Sequence, residues 1–325
     1  MKNYHYLASN NTCEGFRNQF KNIQIGDDNF TYIIKGSSGS GKSTFMKNIA
    51  KAFEQKGYTI EYFHCSSDAT SLDGIRIVEK NISFVDGTAP HITDPTLPQV
   101  KEKILNVVDY ISPLIKLHRD KLTSLAFEKS KKFAVLYGYL KSVGELIKAE
   151  QLQSLHDENE VNDKVKTIAK SLKLKMSKDG YVERSLFITY VDKGGINFLE
   201  NDIKNVINLD MTNYFDGFEV NKKLAEMLKE KNIQHIKLLS PLFSDYIEGI
   251  LLPKKDLLIY NNHTDKNKFH NQKIIDNLLL RCGSTLCEAR SLHKKIEKYY
   301  IQNMDFNKLN SLQEEVIEEI GFNKK

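Results

Sequence analysis

The chain has 325 residues, 40% of them apolar and 27% charged, enough for packed cores in two domains and too apolar for wholesale disorder. Its formal charge of +5 is spread over alternating lysines and acids, so no basic block marks a nucleic-acid binder. No run of about 18 apolar residues offers a membrane span, "MKNYHYLASNN" lacks a signal-peptide core, and Cys13, Cys65, Cys282 and Cys287 match neither a disulfide framework nor paired zinc ligands, which together point to the cytoplasm.

Taken in chain order, "TYIIK" at residues 31–35 has the β-branched and aromatic composition of a strand. From Thr44 onward Phe45, Met46, Ile49, Ala50 and Phe53 recur at helical spacing, and Gly57 stops the helix. Between strand and helix stand Gly36, Ser37, Ser38, Gly39, Ser40, Gly41, Lys42 and Ser43, the phosphate-loop pattern GxxxxGK[ST] in its required setting. Glycines let the backbone approach phosphates closely, and loop N–H groups with the positive helix end attract the anion. Lys42 is expected on the β- and γ-phosphates, Ser43 on Mg²⁺, and Thr44 near the α-phosphate. These residues predict ATP and Mg²⁺ as ligands.

Next comes the strand "YTIEYFHC", followed by "HCSSDATSLDG", read as a polar loop at a strand end. Such loops line the crevice of open α/β sheets, which makes Asp68 a candidate base, with His64 and Asp73 beside it. The run "NISFVDGTAPH" gives a short buried strand ending on Asp86, the expected metal-binding Walker B aspartate. No glutamate follows Asp86, so the usual water-activating base of many ATPases is missing. His91 in "TAPHITDP" is a candidate contact to the γ-phosphate or the attacking water.

The loop alone is also similar to that of ABC transporter ATPases, but an LSGGQ-like signature and an aspartate–glutamate Walker B are absent. The combination "EYFHCSSDATSLDG" and "ISFVDGTAPHITDP" more closely resembles a family of uncharacterised bacterial P-loop ATPases, sometimes labelled nucleotide kinases, in which two related units lie in tandem. The resemblance is strong over residues 4–95. It implies ATP binding at residues 36–44 and names no substrate.

Residues 98–178 show apolar positions at helical spacing and no strand signal, as a helical arm would. Arg119 and Arg184 fall in or near it. After Gly180 the first pattern returns: "TYIIK" corresponds to "VINLD", the helix "TFMKNIAKAFEQKG" to "EVNKKLAEMLKEKN", and residues 31–87 align at a constant shift of 175. Lys42 then falls on Gly217, Ser43 on Phe218 and Asp86 on Asn261, so the second unit should not bind nucleotide. Arg281 and Arg290, in or beside the helical tail that begins near residue 286, are candidates for stabilising the transferring phosphoryl group.

The expected architecture is α/β: a P-loop NTPase parallel sheet with flanking helices, repeated in tandem with helical arms. Its divisions are a nucleotide-binding core at 1–97, a helical arm at 98–180, and a degenerate second unit with helical tail at 181–325. The expected function is an ATP-binding protein with a single Mg²⁺-dependent ATPase site in the first half, Lys42 being the main catalytic group. Two alternatives are a nucleoside or sugar kinase using Asp68 as base, and a non-catalytic protein whose helical arms engage a protein partner under ATP control.

Overall fold

The structure is a computed structural model, and it describes residues 3–26, 28–178, 180–261 and 269–322. The chain divides into two compact units that interleave along the sequence: Met1–Ser9, Asn18–Leu136 and Ser284–Lys325 form one, Asn10–Arg17 and Tyr137–Gly283 the other. Among the described residues no helix is long and apolar enough to cross a membrane.

In chain order the elements up to the middle of the molecule are β1 (Tyr4–Leu7), β2 (Ser9–Thr12), β3 (Gly15–Asn18), β4 (Phe30–Lys35), α1 (Lys42–Gln55), β5 (Ile60–Cys65), β6 (Asp68–Ile77), β7 (Ile82–Asp86), β8 (Glu102–Asn106), α2 (Arg119–Gln153) and α3 (Glu158–Leu172). There follow β9 (Ser185–Leu186), β10 (Thr189–Asp192), β11 (Gly195–Phe198), β12 (Asn205–Asn208), α4 (Tyr214–Glu230), β13 (Ile236–Leu239), β14 (Ile247–Leu252), β15 (Leu257–Tyr260), α5 (Gln272–Gln302) and α6 (Phe306–Phe322).

The first unit holds a six-stranded sheet in the order β1-β5-β6-β7-β4-β8. The expected parallel sheet does not form. β1–β5, β7–β4 and β4–β8 pair parallel, whereas β6 pairs antiparallel with both β5 and β7. The cause is connection length. Only residues 66–67 join β5 to β6, and residues 78–81 join β6 to β7. A parallel neighbour requires a crossover of roughly a dozen residues or more, so turns this short reverse the chain. The stretch "SSDATSLDG", read as a loop, is therefore mostly strand β6. A second correction concerns residues 98–180, which are not wholly helical: β8 completes the sheet edge, although only Ile104 and Leu105 of its five residues are apolar.

The core on one face of this sheet explains α1. Phe45, Met46, Ile49, Ala50 and Phe53 are all buried and pack on Tyr32 and Ile34 of β4, Ile75 and Ile77 of β6, and Phe84 of β7, together with Leu309, Val316 and Ile320 of α6. Tyr32 stacks on Phe84 at 4.7 Å. Burying one such side chain stabilises by about 1.5–3 kcal/mol, so the apolar stripe of α1 alone anchors the helix that carries Lys42 and Ser43.

The second unit has a five-stranded mixed sheet in the order β12-β15-β14-β13-β9. Read from the other end, this is the order of β1-β5-β6-β7-β4, again with one reversed strand, β14, between antiparallel neighbours. The correspondence extends to single residues at the shift of 175. Asn81 and Asp256 both turn the chain with φ 52°. Gly74 and Gly249 each lie where a Cβ would come within 2.9 Å of a carbonyl on the next strand, that of Phe84 and of Ile259 respectively. Here α3 and α4 cover the sheet, through Val161, Val165, Ile168, Val220, Leu224 and Leu228.

Candidate phosphate-binding site

β4 delivers the loop between its parallel neighbours β7 and β8. The register sets Ile34 beside Asp86 and Lys35 beside Asn106, so the loop rises from the C-terminal ends of three parallel strands, where ligands bind in α/β sheets. Lys35 fixes the flanking segment by donating from Nζ to Gly87 O (3.0 Å), Thr93 O (2.7 Å) and Asp94 Oδ1 (2.8 Å).

Three glycines shape the loop. A Cβ on Gly36 would lie 2.5 Å from Ser40 Oγ and 2.7 Å from Val107 Cγ2. Gly39 and Gly41 have φ of 77° and 85°, a left-handed backbone that favours glycine, and Gly41 caps α1. The first helical hydrogen bond runs from Phe45 N to Gly41 O at 2.8 Å. The N–H groups of Lys42, Ser43 and Thr44 precede it and lie at the positive end of the helix.

Lys42 is 8% exposed. Its Nζ donates to Ser37 O at 2.8 Å and stands 3.6 Å from Asp86 Oδ2. Ser37 O also accepts from Ser40 N (3.3 Å) and Ser40 Oγ (2.8 Å). The Ser37 hydroxyl oxygen is buried and has no hydrogen-bond partner among the described residues. Ser38 is half-buried and Thr44 exposed. Ser43 Oγ accepts from Leu72 N at 3.0 Å, which ties the start of α1 to β6. Asp86 Oδ1 accepts from Thr88 N at 2.9 Å, and the Thr88 hydroxyl donates to Gly36 O at 2.9 Å.

The other expected residues divide. His91 is buried, stacked on Phe20 at 4.6 Å, with Nε2 3.4 Å from Asp73 Oδ2. Asp73, expected only as a neighbour of Asp68 in a polar loop, lies instead on β6. It is 5% exposed, receives a hydrogen bond from Ser9 Oγ at 3.4 Å, and interacts with Asp86 and the Cys65 thiol. Burial pushes the Asp73 carboxyl up to about 6; His91 pulls down, Asp86 adds to the rise, and the Cys65 and Ser9 bonds oppose it. Asp68 sits at the start of β6. Burial raises its carboxyl, but Thr70 N and Oγ1, bonded to Oδ1 at 3.1 and 2.7 Å, with the charges of Arg290 and Lys294, hold it below the usual value. Arg290 Nε donates to Ser67 O at 2.8 Å. His64 is driven down to about 4 by burial, against the Ala69 carbonyl at 2.6 Å from its Nδ1. The signal for Asp73 was its antiparallel neighbour, which a loop reading of "SLDG" hides.

The state of Asp73 gives a stability prediction. A carboxyl whose folded value is about 6 and whose unfolded value is about 3.9 destabilises the fold when ionised. That penalty is absent below about pH 4 and complete above about pH 6 to 7. Asp73→Asn should therefore raise the melting temperature of the metal-free protein at pH 8, by the equivalent of about 3 kcal/mol, and the gain should vanish near pH 4. Equal melting of both proteins at pH 8 would contradict it.

At the corresponding place in the second unit, the loop has closed. α4 begins at Tyr214, capped by Asn213, whose side chain accepts from Phe215 N at 3.0 Å. A Cβ on Gly217 would stand 2.3 Å from Asn261 Oδ1, and Tyr214 packs on Phe218 and Phe269 at 5.0 and 5.3 Å. Thr212 donates from N and Oγ1 to Glu160 Oε1 at 3.0 and 3.3 Å. Asp216, buried, accepts from Asp157 N at 3.0 Å and pairs with His156 Nδ1 at 2.6 Å. The chain's own carboxylates and rings pack around the start of α4. In comparisons with known proteins, no family model matches this chain, and no match was found among curated proteins or solved structures.

Proposed function

We propose that the chain binds ATP with Mg²⁺ at residues 36–44 and hydrolyses it slowly or when stimulated by a partner. The observation that carries this reading is the buried Lys42 ammonium, held between Ser37 O and Asp86 beneath a glycine loop that leads into a helix N-terminus. Phosphate oxygens are the natural replacement for both partners, because Lys42, the loop amides and the helix end then act on one anion. The resemblance of residues 4–95 to tandem P-loop ATPases points the same way, and the four free thiols accord with a cytoplasmic site of action.

The residues suit Mg²⁺. Ser43 Oγ accepts one hydrogen bond from Leu72 N, and a hydroxyl oxygen has a second acceptor position. Asp86 turns one oxygen to Thr88 N and the other towards Lys42. Bound there, Mg²⁺ would neutralise charge on the phosphates. Lys42 and the loop amides would orient the phosphates, and the buried side chains beneath them would limit water.

A kinase using Asp68 as base is disfavoured, since Thr70 N and Oγ1 both bond Asp68 Oδ1 and help hold its carboxyl below the usual value, which makes it a weaker proton acceptor. The second reading is an ATP-gated interaction protein whose helices meet a protein partner. It is favoured by the engagement of each carboxylate and histidine near the loop in a bond of its own.

The deciding experiment titrates ATP into the purified chain by calorimetry and follows the nucleotide for hours. Micromolar binding with release of phosphate is the expected result. ATP that stays intact while bound favours the gate, and absence of binding would remove both readings.

A further inference from the structure

Resting on the ATP·Mg²⁺ reading, we infer that Asp73 is the second carboxylate of the metal site, acting with Asp86 and Ser43. β6 pairs Gly74 with Val85 of β7, so Asp73 is next in register to Asp86. Against β5, Phe63 pairs with Gly74 and His64 with Leu72, which leaves Asp73 as the extra residue of a bulge. Bulges re-aim a side chain beside functional sites. The residue before it, Leu72, holds the Ser43 hydroxyl through its amide. Three oxygen-bearing groups are thus brought together by one bulged strand.

The second unit separates scaffold from site. It keeps the bulge, with Leu238 paired to Gly249 and Leu239 to Ile247, and it keeps the acid: Glu248 stands at the counterpart of Asp73. Glu248 accepts from the Thr189 hydroxyl, as Asp73 accepts from Ser9. The hydroxyl–carboxylate bond therefore belongs to the fold. The facing carboxylate does not, since the counterpart of Asp86 is Asn261, engaged with Tyr214 O at 3.0 Å. The unit with a phosphate loop pairs a buried acid, Asp73, with a half-buried one, Asp86, at neighbouring register positions, and the unit without one has an acid and an amide.

Two neighbouring carboxylates, one buried and one half-buried, repel and need cations. The groups facing them are the Lys42 ammonium, 3.6 Å from Asp86, and the His91 ring, 3.4 Å from Asp73. Once Lys42 turns to phosphates, the pair loses its principal counter-charge, and a divalent cation restores the balance. Among the described residues no three acid, histidine or cysteine side chains are arranged to hold a metal alone. Mg²⁺ uses one or two carboxylates and completes its shell with phosphate oxygens and water, and Asp73, Asp86 and the Ser43 hydroxyl are oxygen donors of that kind.

The test is Mn²⁺ binding to the full chain, followed by electron paramagnetic resonance, with a non-hydrolysable ATP analogue present. Asp73→Asn should weaken Mn²⁺ at least about tenfold while metal-free analogue binding stays within about twofold. Asp73→Glu, which copies the second unit, should retain Mn²⁺, and Ser9→Ala should leave it unchanged. The inference is overturned if Asp73→Asn holds Mn²⁺ as the wild type does, or if Ser9→Ala weakens it equally, which would make the role scaffolding. Should Asp73→Asn fail to fold, Asp73→Glu and Ser9→Ala carry the decision: loss of Mn²⁺ in Asp73→Glu counts against it. A wild type that binds no analogue at all would remove the nucleotide reading and this inference together, an outcome distinct from the others.

Discussion

Lys42→Ala is expected to weaken ATP binding at least about a hundredfold, measured by calorimetry with Mg²⁺ present. A charge-assisted hydrogen bond contributes about 1.5–3 kcal/mol, and contacts to two phosphates would supply about 3–6 kcal/mol, or two to four powers of ten. The fold should survive. Ser37 O keeps its bonds from Ser40 N and Oγ, and Asp86 keeps that from Thr88 N. The Lys42 Nζ bond to Ser37 O at 2.8 Å and the attraction to Asp86 at 3.6 Å are lost, but both acceptors stay engaged, so melting should move little. The second unit shows that the scaffold tolerates the deletion, because Gly217 stands at the counterpart of Lys42 and α4 folds without a lysine there. Unaltered ATP affinity in Lys42→Ala would dispose of the nucleotide site.

Much of this site was legible in the sequence because its requirements are local. Gly36, Gly39 and Gly41 are dictated by backbone angles and close approach, and the stripe from Phe45 to Phe53 follows from one helix on one sheet. Asp86 could be placed because a short apolar run ends on it. The reversed strand was not legible. "SSDATSLDG" has the composition of turns, yet residues from Asp68 pair with β5 and β7, since strand propensity yields to tertiary pairing. That reading named Asp73 beside Asp68 but missed its place next to Asp86, which depends on an antiparallel register and a bulge. β8 escaped notice because an edge strand needs few apolar residues. In the second unit the shift of 175 located Gly217, Phe218 and Asn261. It did not reveal that α4 would extend backwards to Tyr214. Helix propagation needs only an N-cap and the absence of a glycine turn, and Asn213 supplies the cap.

Gly39→Val should damage both stability and ATP binding, which distinguishes the shape of the cradle from its charge. At φ 77° a β-branched residue carries strain of about 1–2 kcal/mol. Its Cβ would also lie 2.7 Å from Glu297 O and 3.0 Å from Glu297 Cα. These are backbone atoms of α5, and they cannot rotate aside as the end of a side chain could. α5 is held in turn by Leu292 and Ile296 on Leu125 of α2, so the loop is the part that must yield. Overpacking of this kind costs about 1–3 kcal/mol, for a total of about 2–5 kcal/mol, or a fall of about 5–15 °C in melting temperature. Gly138, mid-helix with no atom near its absent Cβ, is the control: Gly138→Ala should stabilise by up to about 1 kcal/mol. Lifting the loop off α5 displaces the amides at residues 39–43 from a common centre, so ATP affinity should fall along with stability, whereas Lys42→Ala loses affinity alone. A Gly39→Val protein that melts and binds ATP like the wild type would show that α5 gives way instead, and that the glycine is not required for the cradle.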